Sequence, residues 1–304
     1  MVTWISSSMN FPFAPKPTAC PPVESLTTDA GEWLKIARQR LTGVEQPGLE
    51  AQLILGSVLQ LNRAAVLAHP ERILSPNQLA QLDLLIHRHL AGEPLPYLLG
   101  HWEFYGLDFM VNSAVLIPRP ETELLVEEAL VWLQQHPDRR RAADVGVGSG
   151  AISAALATHV PDLWVCATDR SRLALRVAQE NMRRLGLTGR VELAEMDLLS
   201  ACHGPFDLVV ANLPYIPSKK LTDLQVTRYE PVEALDGGID GLRLIERLLA
   251  DASRWLAQGG LMLLEVEAGH GESAPALANR LLPSTAVDML TDLAGLPRVL
   301  RIVK

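Results

Sequence analysis

The sequence predicts an α/β protein: a parallel sheet covered by helices on both faces, preceded by a small helical bundle and a β-hairpin. Three observations predict it. From Ala142 onward, short continuous apolar runs alternate with helical segments, the pattern of strands buried on both faces. Between Leu26 and Leu90 the apolar residues recur at helical spacing, without strand-like alternation. Between residues 94 and 118 the period shortens to near two, with turn residues at Gly106 and Asn112-Ser113. Of the 304 residues, 48% are hydrophobic and 20% charged, which excludes a disordered chain and fits one large domain or two modest ones.

Residues 1–24 read as a weakly ordered tail. Five prolines lie between Asn10 and Pro22, and Lys16 is the only charged residue before Glu24; Met9 is an alternative start. Residues 25–93 form the bundle. Thr28 or Asp29 caps a helix carrying Trp33, Ile36, Ala37 and Leu41. Leu49, Leu53, Ile54 and Val58 make a second stripe. Ser75-Pro76 opens a third helix, with Leu79, Leu82, Leu85, Ile86 and His89 along it. A hairpin over 94–118 carries Phe104, Leu107, Phe109, Val111, Val115 and Ile117.

Residues 119–304 form the α/β domain. Strands are expected over Ala142–Val147, Leu163–Thr168, Val191–Ala194, Phe206–Ala211 and Leu261–Val266. Helices are expected over Ala151–His159, Ser171–Leu185 (with Leu173, Leu175, Val177 and Ala178 apolar) and Leu242–Leu256. In such a sheet, ligands sit beyond the carboxyl ends of the strands, near the topological switch point.

Charge and cysteine content narrow the function classes. The net charge is −8, with −3 before Pro118 and −5 after it, so neither part has the basic excess of a phosphate-gripping protein. Cys20, Cys166 and Cys202 make neither a disulfide framework nor a zinc spacing. No apolar run reaches a membrane span, and no secretory leader is evident. A reducing, cytoplasmic setting is expected, with no metal, no membrane and a monomer.

The motifs fall at strand ends. After the first strand comes Asp144-Val145-Gly146-Val147-Gly148-Ser149-Gly150. Its three glycines permit a tight turn and close backbone approach to a ligand, with free helix N–H groups beyond. The third glycine comes one residue earlier than in the dinucleotide fingerprint. This variant resembles the cofactor loop of class I S-adenosylmethionine (SAM) methyltransferases, with Gly146, Val147, Gly148, Ser149 and Gly150 against the cofactor. Asp169 ends the second strand, where a carboxylate can accept ribose hydroxyls or cap the next helix. Asp197-Leu198 follows the third: Asp197 can accept from an adenine amino group or cap a turn, and Leu198 can pack on the ring. After the fourth strand comes Asn212-Leu213-Pro214-Tyr215, which resembles the (N/D)-P-P-(Y/F) motif of enzymes that methylate planar nitrogens. Such a nitrogen is a poor nucleophile. The Asn212 side-chain oxygen and the Leu213 carbonyl can accept its two N–H bonds and aim its lone pair. Tyr215 can stack on the planar group. Leu213 replaces the usual first proline, freeing φ, while Pro214 keeps Leu213 out of the helical region.

Gly92-Glu93-Pro94-Leu95-Pro96-Tyr97, Phe104-Tyr105-Gly106, Ile117-Pro118-Arg119-Pro120-Glu121-Thr122-Glu123 and Tyr229 through Leu242 complete a pattern that resembles the HemK/PrmC family of release-factor glutamine N5-methyltransferases. The resemblance implies a Rossmann-like catalytic domain, a hairpin linker and a helical domain that holds the substrate. It implies SAM as cofactor and the glutamine of a Gly-Gly-Gln loop in a peptide chain release factor as target. It further implies SAM contacts from Gly146 to Gly150, Asp169, Leu198 and Asn212, with Asn212 to Tyr215 on the glutamine. Val147 stands for a usual Thr, and His270 for a usual Gln. Arg119 is expected to pair with a carboxylate, and Thr122 to cap the following helix. Glutamine methylation of a ribosomal protein, adenine N6-methylation and a non-catalytic SAM-binding adaptor remain as alternatives.

Overall fold

The computed structural model describes residues 28–304; the Pro-rich stretch 1–24 and Cys20 lie outside them. The chain divides into two compact units after Leu82.

In the first unit, Asp29 caps helix Ala30–Arg40 by accepting from the Glu32 N–H at 2.8 Å. Trp33, Ala37 and Leu41 are buried as expected, but Ile36 is exposed. Helix Pro47–Leu59 buries Ala51, Ile54, Leu55 and Leu59, so of the expected stripe of Leu49, Leu53, Ile54 and Val58 only Ile54 is buried. The helix ends at Gln60 in a left-handed cap, and the Gly56 carbonyl receives the Leu61 N–H at 2.9 Å. Helix Arg63–Ala68, capped by Asn62, was not anticipated. Ser75 and Gln78 exchange side-chain and backbone bonds at the head of helix Pro76–Leu90, a reciprocal cap.

The second unit takes up the rest of that helix from Asp83, then a short helix, Leu95–Leu99, and a hairpin of β1 (His101–Phe104) and β2 (Leu107–Met110). Tyr105 and Gly106 both take positive φ, at 51° and 73°, the geometry of a tight hairpin turn. The expected 94–118 hairpin is therefore confined to ten residues. Val111, Val115 and Ile117 are buried but lie beyond the ladder, Val111 closing it with its N–H on the Gly100 carbonyl at 3.1 Å, around an Asx turn in which Asn112 accepts from the Ala114 N–H. After helix Glu123–Gln135 come β3 (Arg141–Val145), β4 (Trp164–Asp169), β5 (Val191–Glu195) and β6 (Phe206–Ala211). The two-residue β7 (Ile216–Pro217) pairs with β8 (Asp236–Gly238). Then follow β9 (Leu256–Glu265), β10 (Ala286–Thr291) and β11 (Pro297–Val303).

The main sheet has the order β10-β11-β9-β6-β3-β4-β5. Strands β9 through β5 are parallel, and β11 and β10 add an antiparallel edge that was not read from the sequence. Helices cover both faces, and the strand residues alternate between two cores. Ala142, Leu208 and Val210 face one core, with Leu125, Ala129 and Leu156; Ala143, Val209 and Ala211 face the other, with Ile245, Leu248 and Ala278. Helix Arg172–Arg184 buries Ala174, Leu175, Val177 and Ala178 and leaves Leu173 exposed, one position off the apolar face. The expected helix Leu242–Leu256 is two pieces, Arg243–Ala250 and Ala252–Trp255, with Leu256 already in β9. The chain leaves β3 for β4 on one side and returns for β6 on the other. Val145 pairs with both Thr168 and Ala211, so Gly146, Asp169 and Asn212 leave the sheet side by side.

Candidate active site

The glycine loop is strapped to the end of β4. Gly146, Gly148 and Gly150 have φ of 80°, 53° and 85°, where a Cβ is strained. The N–H groups of Gly146 and Val147 donate to the Thr168 carbonyl at 2.8 and 2.9 Å. That of Gly148 donates to Asp169 Oδ2 at 3.0 Å. Asp144 lies beneath the loop, fully buried, and its Oδ2 accepts from the Ser153 N–H at 3.1 Å and hydroxyl at 2.6 Å. Burial pushes its carboxyl up to about 6, against the pull of those two bonds. Asn181, also fully buried, donates to the Ser149 carbonyl at 2.8 Å and exchanges two bonds with the Met110 backbone. One amide thus anchors both the loop and the hairpin. Sequence reasoning gave Asp144 and Asn181 no role, although Asn181 repeats the Val177–Ala178 face one turn on, where a polar residue is a signal.

Asp169 serves two backbone donors, since its Oδ1 also accepts from the Ser171 N–H at 2.8 Å. Ser171, not Asp169, caps helix Arg172–Arg184. Burial raises the Asp169 carboxyl pKa, opposed by the backbone bonds from Ser171 and Gly148. Each oxygen keeps a second lone pair for a ligand hydroxyl. Asp197 pairs with Arg247 at 2.6 Å near solvent. Leu198 holds φ of 52°, unusual for a branched apolar residue.

At the end of β6, the Asn212 Nδ2 donates to the Thr122 hydroxyl at 3.0 Å. Thr122 was expected to cap helix Glu123–Gln135, but its side chain makes no capping bond there; it is buried and turned to Asn212. Leu213 is buried, with Cδ2 over Gly146. The Tyr215 hydroxyl donates to Glu265 Oε1 at 3.0 Å, and burial raises its pKa. Gly237 lies so close to the Tyr215 backbone that a Cβ there would come within 2.7 Å of its Cα. Arg119 pairs with buried Glu230, which also receives the Ile117 N–H at 3.2 Å. His270 donates from Nε2 to the Asp240 carbonyl at 3.0 Å.

Two clefts meet here. The larger, an open space of about 1080 Å³, is lined by Gly146, Val147, Gly148, Ser149, Asp169, Asp197, Leu198, Asn212, Leu213 and Pro214. Gly150 does not line it: it sits behind the loop against Met182 and Ala178. The smaller, about 530 Å³, is lined by Arg119, Asn212, Pro214, Tyr215 and Val226 among others. Asn212 and Pro214 belong to both. The larger cleft suits an amphipathic nucleoside: apolar walls from Leu198 and Leu213, a carboxylate at Asp169 and a glycine turn that admits close approach. Among the described residues no cluster of His, Cys, Asp or Glu is placed to hold a metal ion, and no helix is long and apolar enough to cross a membrane.

Comparison with known proteins shows what the chain is similar to. Residues 32–100 match the PrmC N-terminal domain, and residues 121–229 the methyltransferase small domain. A release factor glutamine methyltransferase of Moorella thermoacetica is 44% identical over 265 residues, covering 86% of this chain and 93% of that one. One from Bradyrhizobium diazoefficiens is 38% identical, over 86% and 90% of the two chains. Among solved structures, the hMettl16 catalytic domain in complex with a MAT2A hairpin superposes with a TM-score of 0.52 at 14% identity, over 65% of this chain and 75% of that one. That likeness is one of fold.

Proposed function

Since the chain belongs to the family of release factor glutamine methyltransferases, we propose that it transfers a methyl group from SAM to the side-chain amide nitrogen of the glutamine in a release factor's Gly-Gly-Gln loop. The observation that carries this is the sharing of Asn212 and Pro214 by the two clefts. A cofactor in the larger cleft and an amide in the smaller one would meet at that wall.

The residues present fit SAM. The cofactor supplies an electrophilic sulfonium methyl. Gly146, Val147, Gly148 and Ser149 hold its amino-acid end, Asp169 its ribose, and Leu198 with Asp197 its adenine. Asp197 would share its carboxylate with Arg247. On the acceptor side, the Asn212 side-chain oxygen and the Leu213 carbonyl accept the two N–H bonds of the glutamine amide. Orientation does most of the work, since no strong base is needed to expose an aimed lone pair. Tyr215 flanks the amide. Leu213 supplies the same backbone carbonyl that proline would, and its side chain fills the space over Gly146. We place the reaction in the cytoplasm, on a monomer. The net charge of −8 supports a protein partner over a nucleic acid.

Transfer of a tritiated methyl from SAM to purified release factor tests this, with a Gln→Ala change in the Gly-Gly-Gln loop as control. Label on the normal factor and none on the control is the expected result. Label on both, or on neither while SAM binds, would overturn it.

A further inference from the structure

A glutamine side chain has a donor half, its NH₂, and an acceptor half, its carbonyl oxygen, and a site that methylates the nitrogen has to tell them apart. The acceptors assigned above to the two N–H bonds leave the carbonyl oxygen without a donor. In a cleft closed to water that oxygen costs free energy unless a donor meets it. Three of the nine side chains that line the smaller cleft are polar: Arg119, Asn212 and Tyr215. Asn212 has its Nδ2 on the Thr122 hydroxyl at 3.0 Å, and the Tyr215 hydroxyl donates to Glu265 Oε1 at 3.0 Å. Arg119 differs from both. A guanidinium carries five N–H donors and no acceptor, and it stays protonated. Its Nη2 donates to Glu230 Oε1, and among the described residues its other nitrogens make no hydrogen bond. Glu230 is 3% exposed, and its second oxygen accepts the Ile117 N–H at 3.2 Å. Arg119 is therefore tethered through one nitrogen while its side chain stays 36% exposed. It lines both clefts, as Asn212 and Pro214 do.

We propose that Arg119 is a specificity-determining residue that donates to the carbonyl oxygen of the substrate glutamine, and that Glu230 tunes it toward an amide and away from a carboxylate. With Arg119 on the oxygen, the nitrogen faces Asn212 and the Leu213 carbonyl. A flipped amide would set its own oxygen against that of Asn212. The charge balance then decides which side chain is admitted. A lone guanidinium favours glutamate over glutamine, because a carboxylate pairs with it bidentately. Here the Glu230 carboxylate balances the guanidinium from its buried side, so the cleft keeps a directional donor with little net charge. The oxygens of Asn212 and Leu213 repel a carboxylate from the other side. Together they select a neutral, planar amide. The proposal rests on the acceptor roles given to Asn212 and Leu213 above.

The test uses the full chain with Arg119→Met, Glu230→Gln and the Arg119→Met/Glu230→Gln double variant. Each meets release factor with its normal glutamine and with Gln→Glu in the Gly-Gly-Gln loop. Arg119→Met should lower kcat/KM for methylation of the normal factor roughly 10–100-fold, the scale of one hydrogen bond to a charged group. SAM affinity by calorimetry should stay within about threefold. A loss of SAM affinity as large as the loss of kcat/KM would assign Arg119 to the cofactor and overturn the proposal. A second measurement reads charge, which a merely structural role would not move. Glu230→Gln keeps an acceptor for Arg119 and the Ile117 N–H but leaves the guanidinium unbalanced. The Gln→Glu factor should bind this variant about tenfold more tightly than the normal enzyme, and the gain should vanish in the double variant. No gain, or a gain that survives the loss of Arg119, would overturn the proposal. The double variant strands no buried carboxylate, so it takes the place of Arg119→Met in the rate assay where that variant does not fold. A normal enzyme that leaves release factor unlabelled brings down the functional reading and this proposal with it. A labelled factor with kcat/KM unchanged on loss of Arg119 overturns this proposal alone.

Discussion

Gly150 shows what a single residue costs and gains in this site. Its φ of 85° is open to glycine and strained for alanine, and a Cβ there would lie 2.6 Å from the end of the Met182 side chain. Gly150→Ala should lower stability by about 1–3 kcal/mol in urea titrations, from the backbone strain plus the displaced methionine. Adding Met182→Ala should not restore the loss, since the strain stays and a cavity is added; full recovery would show that the backbone had moved instead. Which residues line the two clefts was largely legible, because glycine spacing and Asn-Leu-Pro-Tyr are local signals. What their polar neighbours do was not. Thr122 sits where a cap belongs, and only the fold shows that a side chain 90 positions later claims its hydroxyl.

At the scale of elements, Asn181 is the joint between the hairpin and the cofactor loop. Replacing it by leucine of similar size would leave the Met110 N–H and carbonyl and the Ser149 carbonyl without their partner. Asn181→Leu should cost about 2–5 kcal/mol on chemical denaturation, the penalty for orphaned backbone groups. SAM affinity should fall with it; calorimetry showing normal affinity would mean the loop holds its shape unaided. The parallel strands were legible because both of their faces are buried, which writes continuous apolar runs. The edge strands β10 and β11 were not, since β10 buries no side chain and the apolar run of β11 is broken by Arg298 and Arg301. The segment after β2 misled for the opposite reason. Val115 and Ile117 are buried on a segment that forms a turn and no strand, and a period of two does not reveal whether a chain has a strand partner.

For the molecule as a whole, the buried Asp144 ties stability to pH. Its carboxyl is raised from 3.8 to about 6 in the folded state, so the folded protein holds the proton more tightly than the unfolded chain. The stabilisation from this group is fully present below the unfolded pKa and is lost as pH rises through 6. Relative to Asp144→Asn, which cannot ionise, the normal protein should lose roughly 2 kcal/mol between pH 4 and pH 7. Urea titrations of the two proteins across that range check this, and parallel curves would show that the carboxyl titrates normally. The overall α/β layering and the helical first unit were readable from periodicity alone. The buried charges that run through the layering were not, because an aspartate in an apolar strand gives no sign of what will lie above it.

Asn212 and Tyr215 with their partners Thr122 and Glu265 come from the end of β6, the head of helix Glu123–Gln135 and the end of β9, whereas the glycine loop and Asp169 lie within one short βαβ stretch. As the chain leaves the ribosome, the glycine turn is synthesised well before Glu265. Strand β6 pairs with β9, so the wall between the two clefts gains its neighbouring strand only once Glu265 has been made.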